Sequence, residues 1–242
     1  MLVGSWGKST QIRPPRDIDV LFTLPPSVYE RYEHVYGNKQ SQLLQEVKNV
    51  LLKKYSTTKM RADGQVVLVP FLSYSVEVVP AFVLTNGKYW ICNTNGGGKY
   101  ETTDPTSEIE QIKSSSNLTN GNTRNLIRMM KCWQGNCNVP LKSFCLELLV
   151  VDFLSSYGYK DKGTTFYDWM TRDFFKFLLG KVNGWVIIPG TYKFIDLGDT
   201  WKSKAESAYN RASKATQYEA DNMPYTAGEE WQKIFGNYIP VG

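Results

Sequence analysis

The chain has 242 residues, of which 42% are hydrophobic and 21% are charged, so it can bury the core of one large domain or of two smaller lobes. Its formal net charge of +5 is compatible with polyanionic ligands but falls short of the dense basic surface of a dedicated nucleic-acid binder. No apolar run approaches the roughly 18 residues that span a bilayer.

Cysteine and histidine usage bears on metal sites and on the cellular compartment. The four cysteines, Cys92, Cys132, Cys137 and Cys145, form no CxxC pair, and His34 is the only histidine. A structural zinc site needs four nitrogen or sulfur ligands at characteristic spacing, which this pattern does not offer. Scattered cysteines without a secretion signal favour a reducing compartment, and we expect a cytoplasmic protein.

The first half of the chain is rich in predicted β-strands. The predicted strands are 17–24, which ends at a Pro-Pro pair, two runs within 65–84 that are divided at 71–74, and 89–94. Between the first two, residues 27–55 carry apolar side chains at three- and four-residue steps, which predicts helical structure.

The polar stretch 102–122 predicts a hinge, and the chain beyond it turns helical. Helical patterns occupy 122–134, 140–158, 164–182 and 200–221, with Thr164 or Thr165 as the N-cap of the third and a short interruption at 186–191. The whole pattern favours an α+β fold. We expect a strand-rich lobe over residues 1–110, a helical lobe over residues 111–242, and a cleft between them.

Two aspartates and a glutamate lie on predicted strands. Alternate side chains of a strand share a face, so Asp17 and Asp19 point the same way while Ile18 points into the core. Carboxylates on one face repel each other unless a cation lies between them, and Mg²⁺ binds few carboxylates together with waters and substrate phosphates. Glu77 stands alone in the apolar run YSVEVVP. Burying it unpaired would be costly, so we expect it to have a metal or a cationic partner.

Each of these features has an ordinary interpretation by itself. A D-x-D pair usually marks a solvated strand face, and Glu77 could lie at an exposed edge. The Gly4-Ser5 pair, which eleven residues separate from Asp17, makes the functional interpretation the stronger one. Glycine lets a backbone approach a phosphate closely, and successive N–H groups with a serine hydroxyl can bind phosphate oxygens. Although Gly-Ser is a common turn dipeptide, its position ahead of the acids favours a metal site beside a phosphate-binding turn.

Gly-Ser, D-x-D and a third acid, in this order, resemble the signature of the DNA polymerase β-like nucleotidyltransferase superfamily. The stretch GSWGKSTQIRPPRDIDV is most similar to the bacterial CD-NTases, the cyclic-oligonucleotide synthases of anti-phage CBASS systems. The stretches NTRNLIRMMKCW and VPLKSFCLELLVVDFL resemble the paired helices with which those synthases hold a donor triphosphate, and AGEEWQKIFG resembles their C-terminal segment. The resemblance covers nearly the whole chain. The acidic triad alone indicates only the superfamily, whereas the two helices indicate this particular family.

The resemblance implies a catalytic site in the first lobe, the nucleotidyltransferase lobe with its mixed sheet. Asp17, Asp19 and Glu77 match the catalytic, metal-binding triad of the family. Gly4 and Ser5 match its phosphate-binding turn.

In the helical lobe the resemblance implies contacts to the nucleotide. Lys131 matches the helix lysine that reaches the β- and γ-phosphates, and Ser143 matches a hydroxyl contact to the same group. Phe144 matches an aromatic ring that stacks on a base, and Asp196 matches a residue that lines the pocket. From the residues alone, Lys131 and Ser143 could be ordinary helix residues and Phe144 could belong to the core.

The resemblance also implies the cofactor and the substrates. It implies two Mg²⁺ ions, with Mn²⁺ as an alternative, and nucleoside triphosphates as the substrates of a cytoplasmic bacterial enzyme. The product would be a cyclic di- or trinucleotide second messenger, with release of pyrophosphate. We expect a monomer that needs neither nucleic acid nor a membrane and that regulatory proteins control. A long N-terminal helix precedes the Gly-Ser turn in the family, and we expect it to be missing here because Gly4 is the fourth residue.

Two other functions fit the same residues. A template-independent transferase that adds nucleotides to RNA, a protein or a small molecule would share the triad but would need an added acceptor. An inactive homologue that binds nucleotides or nucleic acid would use the +5 charge, and its salt-sensitive binding would persist after the triad is mutated.

Overall fold

The computed structural model describes residues 1–14, 17–237 and 239–241. The chain forms two compact units: Met1–Ile109 with Pro189–Thr191, and Glu110–Ile188 with the residues from Tyr192 onward. The helices are α1 (Gly4–Gly7), α2 (Pro26–Glu33), α3 (Lys39–Lys54), α4 (Pro105–Leu118), α5 (Asn122–Asn136), α6 (Ser143–Ser156), α7 (Tyr167–Leu179), α8 (Lys202–Ala220) and α9 (Pro224–Phe235). The strands are β1 (Asp17–Thr23), β2 (Arg61–Asp63), β3 (Val66–Pro70), β4 (Ser75–Val83), β5 (Tyr89–Asn93), β6 (Lys99–Thr103), β7 (Trp185–Ile187) and β8 (Phe194–Asp196).

The first unit is built on a mixed six-stranded sheet. Its strands pair in the order β2-β3-β4-β5-β6, and β1 pairs with β4 outside this path. The β1–β4 pair is parallel, whereas the other neighbours are antiparallel. The β-branched and aromatic residues of β4, in the run SVEVVPAFV, suit a strand that packs on both of its faces. The predicted α+β class with a mixed sheet is confirmed.

The two faces of this sheet pack against different groups of side chains. On one face Val76 and Val78 pack against a core that contains the buried Leu43 and Leu44 of α3. This contact explains the apolar stripe of α3, which recurs at helical spacing. The other face carries a smaller buried cluster formed by Val3, Leu21, Ala81 and Ile91.

The second unit is helical, with a short antiparallel hairpin of β7 and β8. Its core includes the fully buried side chains of Trp133, Trp201, Phe174, Phe175 and Leu146. The buried face of α8 consists largely of alanine, which allows its neighbours α7 and α9 to approach closely.

Among the described residues of either unit, no helix combines the length and the apolar character that crossing a bilayer requires.

Residues 102–122 are mostly helical and not an irregular linker, and the boundary between the two units falls within them, between Ile109 and Glu110. Strand β6 runs to Thr103, and α4 begins at Pro105. The carboxylate of Asp104 caps this helix: its Oδ1 accepts a hydrogen bond from the Ser107 backbone N–H at 3.0 Å, and its Oδ2 accepts one from the Ser107 hydroxyl at 2.7 Å. A capping aspartate and a proline in the first turn outweigh the weak helix propensity of the serines that follow.

Two helix boundaries also differ from the predictions. The helical stretch 27–55 is divided into α2 and α3, because the chain turns through Gly37 at a φ of +81°. Helix α7 begins at Tyr167 after a 3₁₀ turn over Thr164–Phe166. Its N-cap is Phe166, without a side-chain hydrogen bond, so neither Thr164 nor Thr165 is the cap.

The predicted interruption at 186–191 includes most of β7 and a segment that belongs to the first unit. The Gly190 carbonyl accepts a hydrogen bond from Lys88 Nζ at 2.6 Å. The Gly190 backbone has a φ of +74° and lies so close to Asp104 that a Cβ at this position would be 2.2 Å from Asp104 Oδ2. These partners are distant in the chain, so a local pattern does not reveal that residues 189–191 pack with the sheet unit.

Candidate active site

Strand pairing brings three acids together. In the parallel β1–β4 pair, Asp17 lies opposite Ser75 and Asp19 lies opposite Glu77. Strand alternation puts all three acids on the same face of the sheet. One carboxylate oxygen from each of Asp17, Asp19 and Glu77 lies within 4.8 Å of the others, and all three residues are half-buried. The acids that the sequence places on one face therefore form a single cluster.

The electrostatics of Glu77 reflect this cluster. Burial raises the pKa of Glu77 above its ordinary value, and the charges of Asp19 and Asp17 raise it further. A raised carboxyl pKa means that the anionic form is disfavoured at this position unless a positive charge compensates it. The arrangement therefore favours binding of a cation.

The donor set of the cluster suits a hard divalent cation. All three side chains offer carboxylate oxygens, the ligands that Mg²⁺ and Mn²⁺ prefer over nitrogen and sulfur. Half-burial leaves part of the cluster accessible, and such ions keep water or substrate oxygens on their open side. The residues present thus fit the metal that the resemblance implies.

The N-terminal segment lies against the strand that carries the aspartates. Leu2 forms an antiparallel bridge with Val20, and the Val3 N–H donates to the Asp19 carbonyl at 3.0 Å. Gly4 follows with a φ of +54°, and a Cβ at this position would lie 1.8 Å from Asp19 Oδ2. Only glycine permits so close an approach, so the backbone of Gly4 directly abuts a carboxylate of the cluster.

Ser5 and Trp6 continue from Gly4 into the short helix α1. The indole Nε1 of Trp6 donates to the Asp17 carbonyl at 3.2 Å and so ties the turn to β1. The Ser5 carbonyl accepts from the Thr10 N–H at 2.9 Å, and the Ser5 side chain is half-exposed. Sequence reasoning did not single out Trp6, although a large aromatic residue within a Gly-Ser turn was the available signal.

A buried ion pair holds the segment after this turn. Lys8 Nζ lies 3.0 Å from Glu108 Oε2, and the Lys8 side chain is only 4% exposed. The pair joins the N-terminal segment to the first turn of α4. Sequence reasoning missed it because Glu108 falls in the stretch whose composition predicts a hinge.

In the second unit, Lys131 is directed at a carboxylate. Lys131 on α5 places its Nζ 2.6 Å from Glu147 Oε1 on α6, and both residues are buried. The sequence predicted a contact between Lys131 and phosphate but did not single out Glu147. A charged residue between Leu146 and Leu148, within an apolar helical run, was the signal for a buried partner.

The remaining nucleotide-binding candidates have contacts within the second unit. The Ser143 hydroxyl donates to Gln134 Oε1 at 2.6 Å, which links the start of α6 to α5. Phe144 is partly buried against the core of this unit. Asp196 is exposed at the end of β8, and its Oδ1 accepts from the Gly198 N–H at 2.7 Å. The roles of these three side chains at a nucleotide stay predictions.

A mixed sheet that gathers three carboxylates on two adjacent strands, with a glycine turn packed against one of them, is the arrangement that the resemblance to nucleotidyltransferases implies. Residues 1–116 match the family model described as the Second Messenger Oligonucleotide or Dinucleotide Synthetase domain. A probable cyclic nucleotide synthase of Bacillus cereus (strain VD146) is 22% identical over 271 residues, which cover 98% of this chain and 81% of that protein.

Solved structures share the fold across nearly the whole chain. A mutant of the Vibrio cholerae di-nucleotide cyclase DncV matches with a TM-score of 0.80 at 15% identity, covering 99% of this chain and 70% of that one. The structure of Escherichia coli MS115-1 CdnC with ATP matches with a TM-score of 0.73 at 18% identity, covering 99% of this chain and 83% of that one. Residues 1–116 therefore match a Second Messenger Oligonucleotide or Dinucleotide Synthetase domain, and the chain as a whole is similar to a probable cyclic nucleotide synthase and shares the fold of DncV and CdnC.

Proposed function

We propose that this chain is a metal-dependent synthase that joins nucleoside triphosphates into a cyclic di- or trinucleotide second messenger of anti-phage defence, releasing pyrophosphate. The observation that carries the proposal is the cluster of Asp17, Asp19 and Glu77, whose ligand oxygens lie within 4.8 Å of one another. The family-model match over residues 1–116 supports the class of product. The structure of E. coli CdnC with ATP supports a triphosphate substrate.

Asp17, Asp19 and Glu77 would hold Mg²⁺, with Mn²⁺ as the alternative. When bound at a carboxylate cluster of this kind, such ions make an acceptor hydroxyl more acidic and neutralise charge on the departing pyrophosphate. Glu77 is the candidate acceptor for the hydroxyl proton, because the resemblance puts it nearest to the acceptor nucleotide.

The turn at Gly4 and Ser5 would bind the donor phosphates. The backbone of Gly4, the first residue of α1, has a φ in the left-handed region. The successive N–H groups at the start of this helix would bind phosphate oxygens beside the acidic cluster. Ser5 is half-exposed, and its hydroxyl would add a hydrogen bond to the same phosphate oxygens. Holding the phosphate group close to the acids contributes to catalysis by positioning.

Lys131 would use a further N–H donor to take part in donor binding. Its Nζ lies 2.6 Å from Glu147 Oε1, and because an ammonium has three N–H donors it would either keep this carboxylate beside a phosphate oxygen or exchange one for the other. Ser143, Phe144 and Asp196 are proposed as further contacts of the nucleotide, on the resemblance of their positions to those of the family.

Product analysis tests the proposal. The protein is incubated with the four nucleoside triphosphates and Mg²⁺, treated with phosphatase, and its products are analysed by mass spectrometry. We expect phosphatase-resistant cyclic products from the wild type and none from Asp17→Asn or Asp19→Asn. Glu30→Gln, which removes one exposed charge from α2, is the matched control and should retain wild-type activity.

Two outcomes would count against the proposal. Product formation by either aspartate variant at the wild-type rate would exclude the assigned metal site, provided that circular dichroism shows all the proteins to be folded. Consumption of triphosphates only after RNA, a protein or a small-molecule acceptor is added would instead indicate a transferase that is not a cyclase.

A further inference from the structure

The edge of β1 that faces away from β4 is covered by the N-terminal segment. Alternate residues of a strand direct their backbone N–H and C=O groups to the same edge, so residues 17, 19 and 21 share this one. The Leu21 N–H donates to the Met1 carbonyl at 2.9 Å, and the Val3 N–H donates to the Asp19 carbonyl at 3.0 Å. Two steps of a backbone ladder therefore hold the segment against β1.

This backbone ladder ends before it reaches Asp17. The next donor in an antiparallel ladder would be the backbone N–H of Ser5, but the chain turns at Gly4, where φ is +54°, and enters α1. The indole of Trp6 takes the place of that donor, since its Nε1 donates to the Asp17 carbonyl at 3.2 Å. A side chain thus continues the ladder at the residue that carries the first acid of the cluster.

The short helix that carries Trp6 is anchored on both of its sides. The Gly7 N–H donates to the Val3 carbonyl at 2.9 Å, which ties the end of α1 back to the segment that pairs with β1. The next residue, Lys8, forms the buried ion pair with Glu108 of α4. The half-buried Trp6 ring therefore presents its N–H from a backbone that is fixed at each end.

The two residues on either side of Ser5 act on different acids. Gly4 limits where the Asp19 carboxylate can lie, because a Cβ at position 4 would be 1.8 Å from Asp19 Oδ2. Trp6 instead holds the peptide group of Asp17. The peptide group and the side chain of a residue share the Cα atom, so a displacement of the first moves the second. One turn therefore sets the positions of both aspartates.

We propose that Trp6 is a positioning residue of the metal site: its indole N–H fixes the Asp17 peptide group and thereby places the Asp17 carboxylate where it binds the ion. The inference rests on the metal binding in the proposed function but not on the identity of the product. Mg²⁺ demands near-ideal ligand geometry, and loss of a group that orients a metal ligand typically lowers metal affinity about ten- to a hundredfold.

Mn²⁺ binding to the full chain, followed by electron paramagnetic resonance of the free ion, tests the proposal without any turnover. Trp6→Phe keeps an aromatic ring and removes the N–H, and we expect it to raise the Kd for Mn²⁺ about tenfold. Trp201→Phe is the matched control, because Trp201 Nε1 donates to the Leu197 carbonyl at 2.7 Å in the second unit. It removes the same kind of hydrogen bond and should leave the Kd unchanged. Circular dichroism and thermal unfolding in EDTA establish that both variants are folded.

A second measurement uses the wild type alone. Exchange of the indole N–H protons with D₂O is followed by ¹H–¹⁵N NMR with and without saturating Mg²⁺. Coupling between two sites is reciprocal, so a bond that strengthens metal binding about tenfold is itself protected about tenfold by the metal. The Trp201 indole reports exchange through unfolding, which any ion bound to the folded state also suppresses. The expected result is that Mg²⁺ slows exchange at Trp6 more than at Trp201.

Three results would overturn the proposal. The first is a Trp6→Phe variant that binds Mn²⁺ as tightly as the wild type, and the second is Mg²⁺ protection at Trp6 that does not exceed the protection at Trp201. The third is an equal loss of Mn²⁺ affinity in Trp6→Phe and Trp201→Phe, which would indicate general destabilisation. A wild type that does not bind Mn²⁺ overturns the proposed metal site together with this inference. Mn²⁺ binding without cyclic products counts against the cyclase alone.

Discussion

Gly4 lies directly against the carboxylate of Asp19, and a Cβ at position 4 would be 1.8 Å from Asp19 Oδ2. The hydrogen bond from the Val3 N–H to the Asp19 carbonyl fixes the two segments next to each other. The Gly-Ser turn and the D-x-D strand are separate motifs in the sequence, but in the structure they form one unit. The position of the glycine backbone limits where the Asp19 carboxylate can lie.

Gly4→Ala tests this relationship. The methyl group cannot occupy its position without displacing Asp19, so we expect cyclic-nucleotide synthesis to fall about ten- to a hundredfold, the range for loss of a group that orients a metal ligand. Gly64→Ala is the matched control: Gly64 has a φ of +62°, and a Cβ added there would have no neighbouring atom within 4 Å. Both variants carry a similar backbone strain of about 1–2 kcal/mol. Equal activity of the two variants, measured as product per unit time, would show that the contact with Asp19 does not matter.

The pKa of Glu77 predicts how the stability of the metal-free protein depends on pH. Because the folded-state pKa is raised above the unfolded value, the folded state binds the proton more tightly. Stability therefore falls as the pH rises from the unfolded pKa through the folded pKa. In EDTA, Glu77→Gln should lack this contribution and should be more stable than the wild type at pH 8.

The measurement is urea unfolding at several pH values with EDTA and then with Mg²⁺. Added Mg²⁺ should stabilise the wild type more than Glu77→Gln, because an ion that binds only the folded state raises the free energy of unfolding. Glu30→Gln on α2 should behave like the wild type in both conditions. If Glu77→Gln has the wild-type pH profile in EDTA, the pKa of Glu77 is not raised in the folded protein.

The sequence predicts the acidic cluster better than it predicts its surroundings. Strand alternation alone puts Asp17 and Asp19 on one face, but their distance from Glu77 depends on the β1–β4 register, in which Asp19 lies opposite Glu77. Register is a non-local property, and only the family resemblance suggested it in advance. The β-branched run around Glu77 was sufficient to predict the strand itself.

The features that sequence reasoning missed depend on partners distant in the chain or on a cap. The serines of helix α4 have weak helix propensity and so predict a hinge, while the Asp104 cap that favours the helix is a single residue ahead of them. Lys8 and Glu108 show no sequence signal of pairing, because their contact requires α4 to exist first. Glu147 is visible as a charge in an apolar run, yet nothing local identifies its partner.

The Lys131–Glu147 pair predicts a large effect on stability. Glu147→Gln keeps the side-chain size but removes the charge that faces the buried Lys131 ammonium at 2.6 Å, so the free energy of unfolding should fall by about 3–5 kcal/mol. Glu110→Gln removes the acid from an exposed pair with Lys113 and should change it by less than about 1 kcal/mol. Urea unfolding monitored by circular dichroism measures both.

A second substitution separates charge from packing in this pair. Replacing Lys131 by methionine in the Glu147→Gln background also removes the ammonium that faces position 147, so the double variant should be more stable than Glu147→Gln alone. If the double variant is no more stable, the loss comes from packing around Glu147.

Thr171 predicts a gain in stability from loss of a hydroxyl. Its side chain is completely buried, and its Oγ1 has no partner in the described residues, so Thr171→Val should raise the free energy of unfolding by about 1 kcal/mol. Thr119 is the matched control, since its buried hydroxyl donates to the Ser115 carbonyl at 2.9 Å and accepts from the Thr123 N–H at 3.1 Å. Thr119→Val should therefore lower the free energy of unfolding by about 1–3 kcal/mol. If urea unfolding shows that both substitutions destabilise equally, the Thr171 hydroxyl is already hydrogen-bonded.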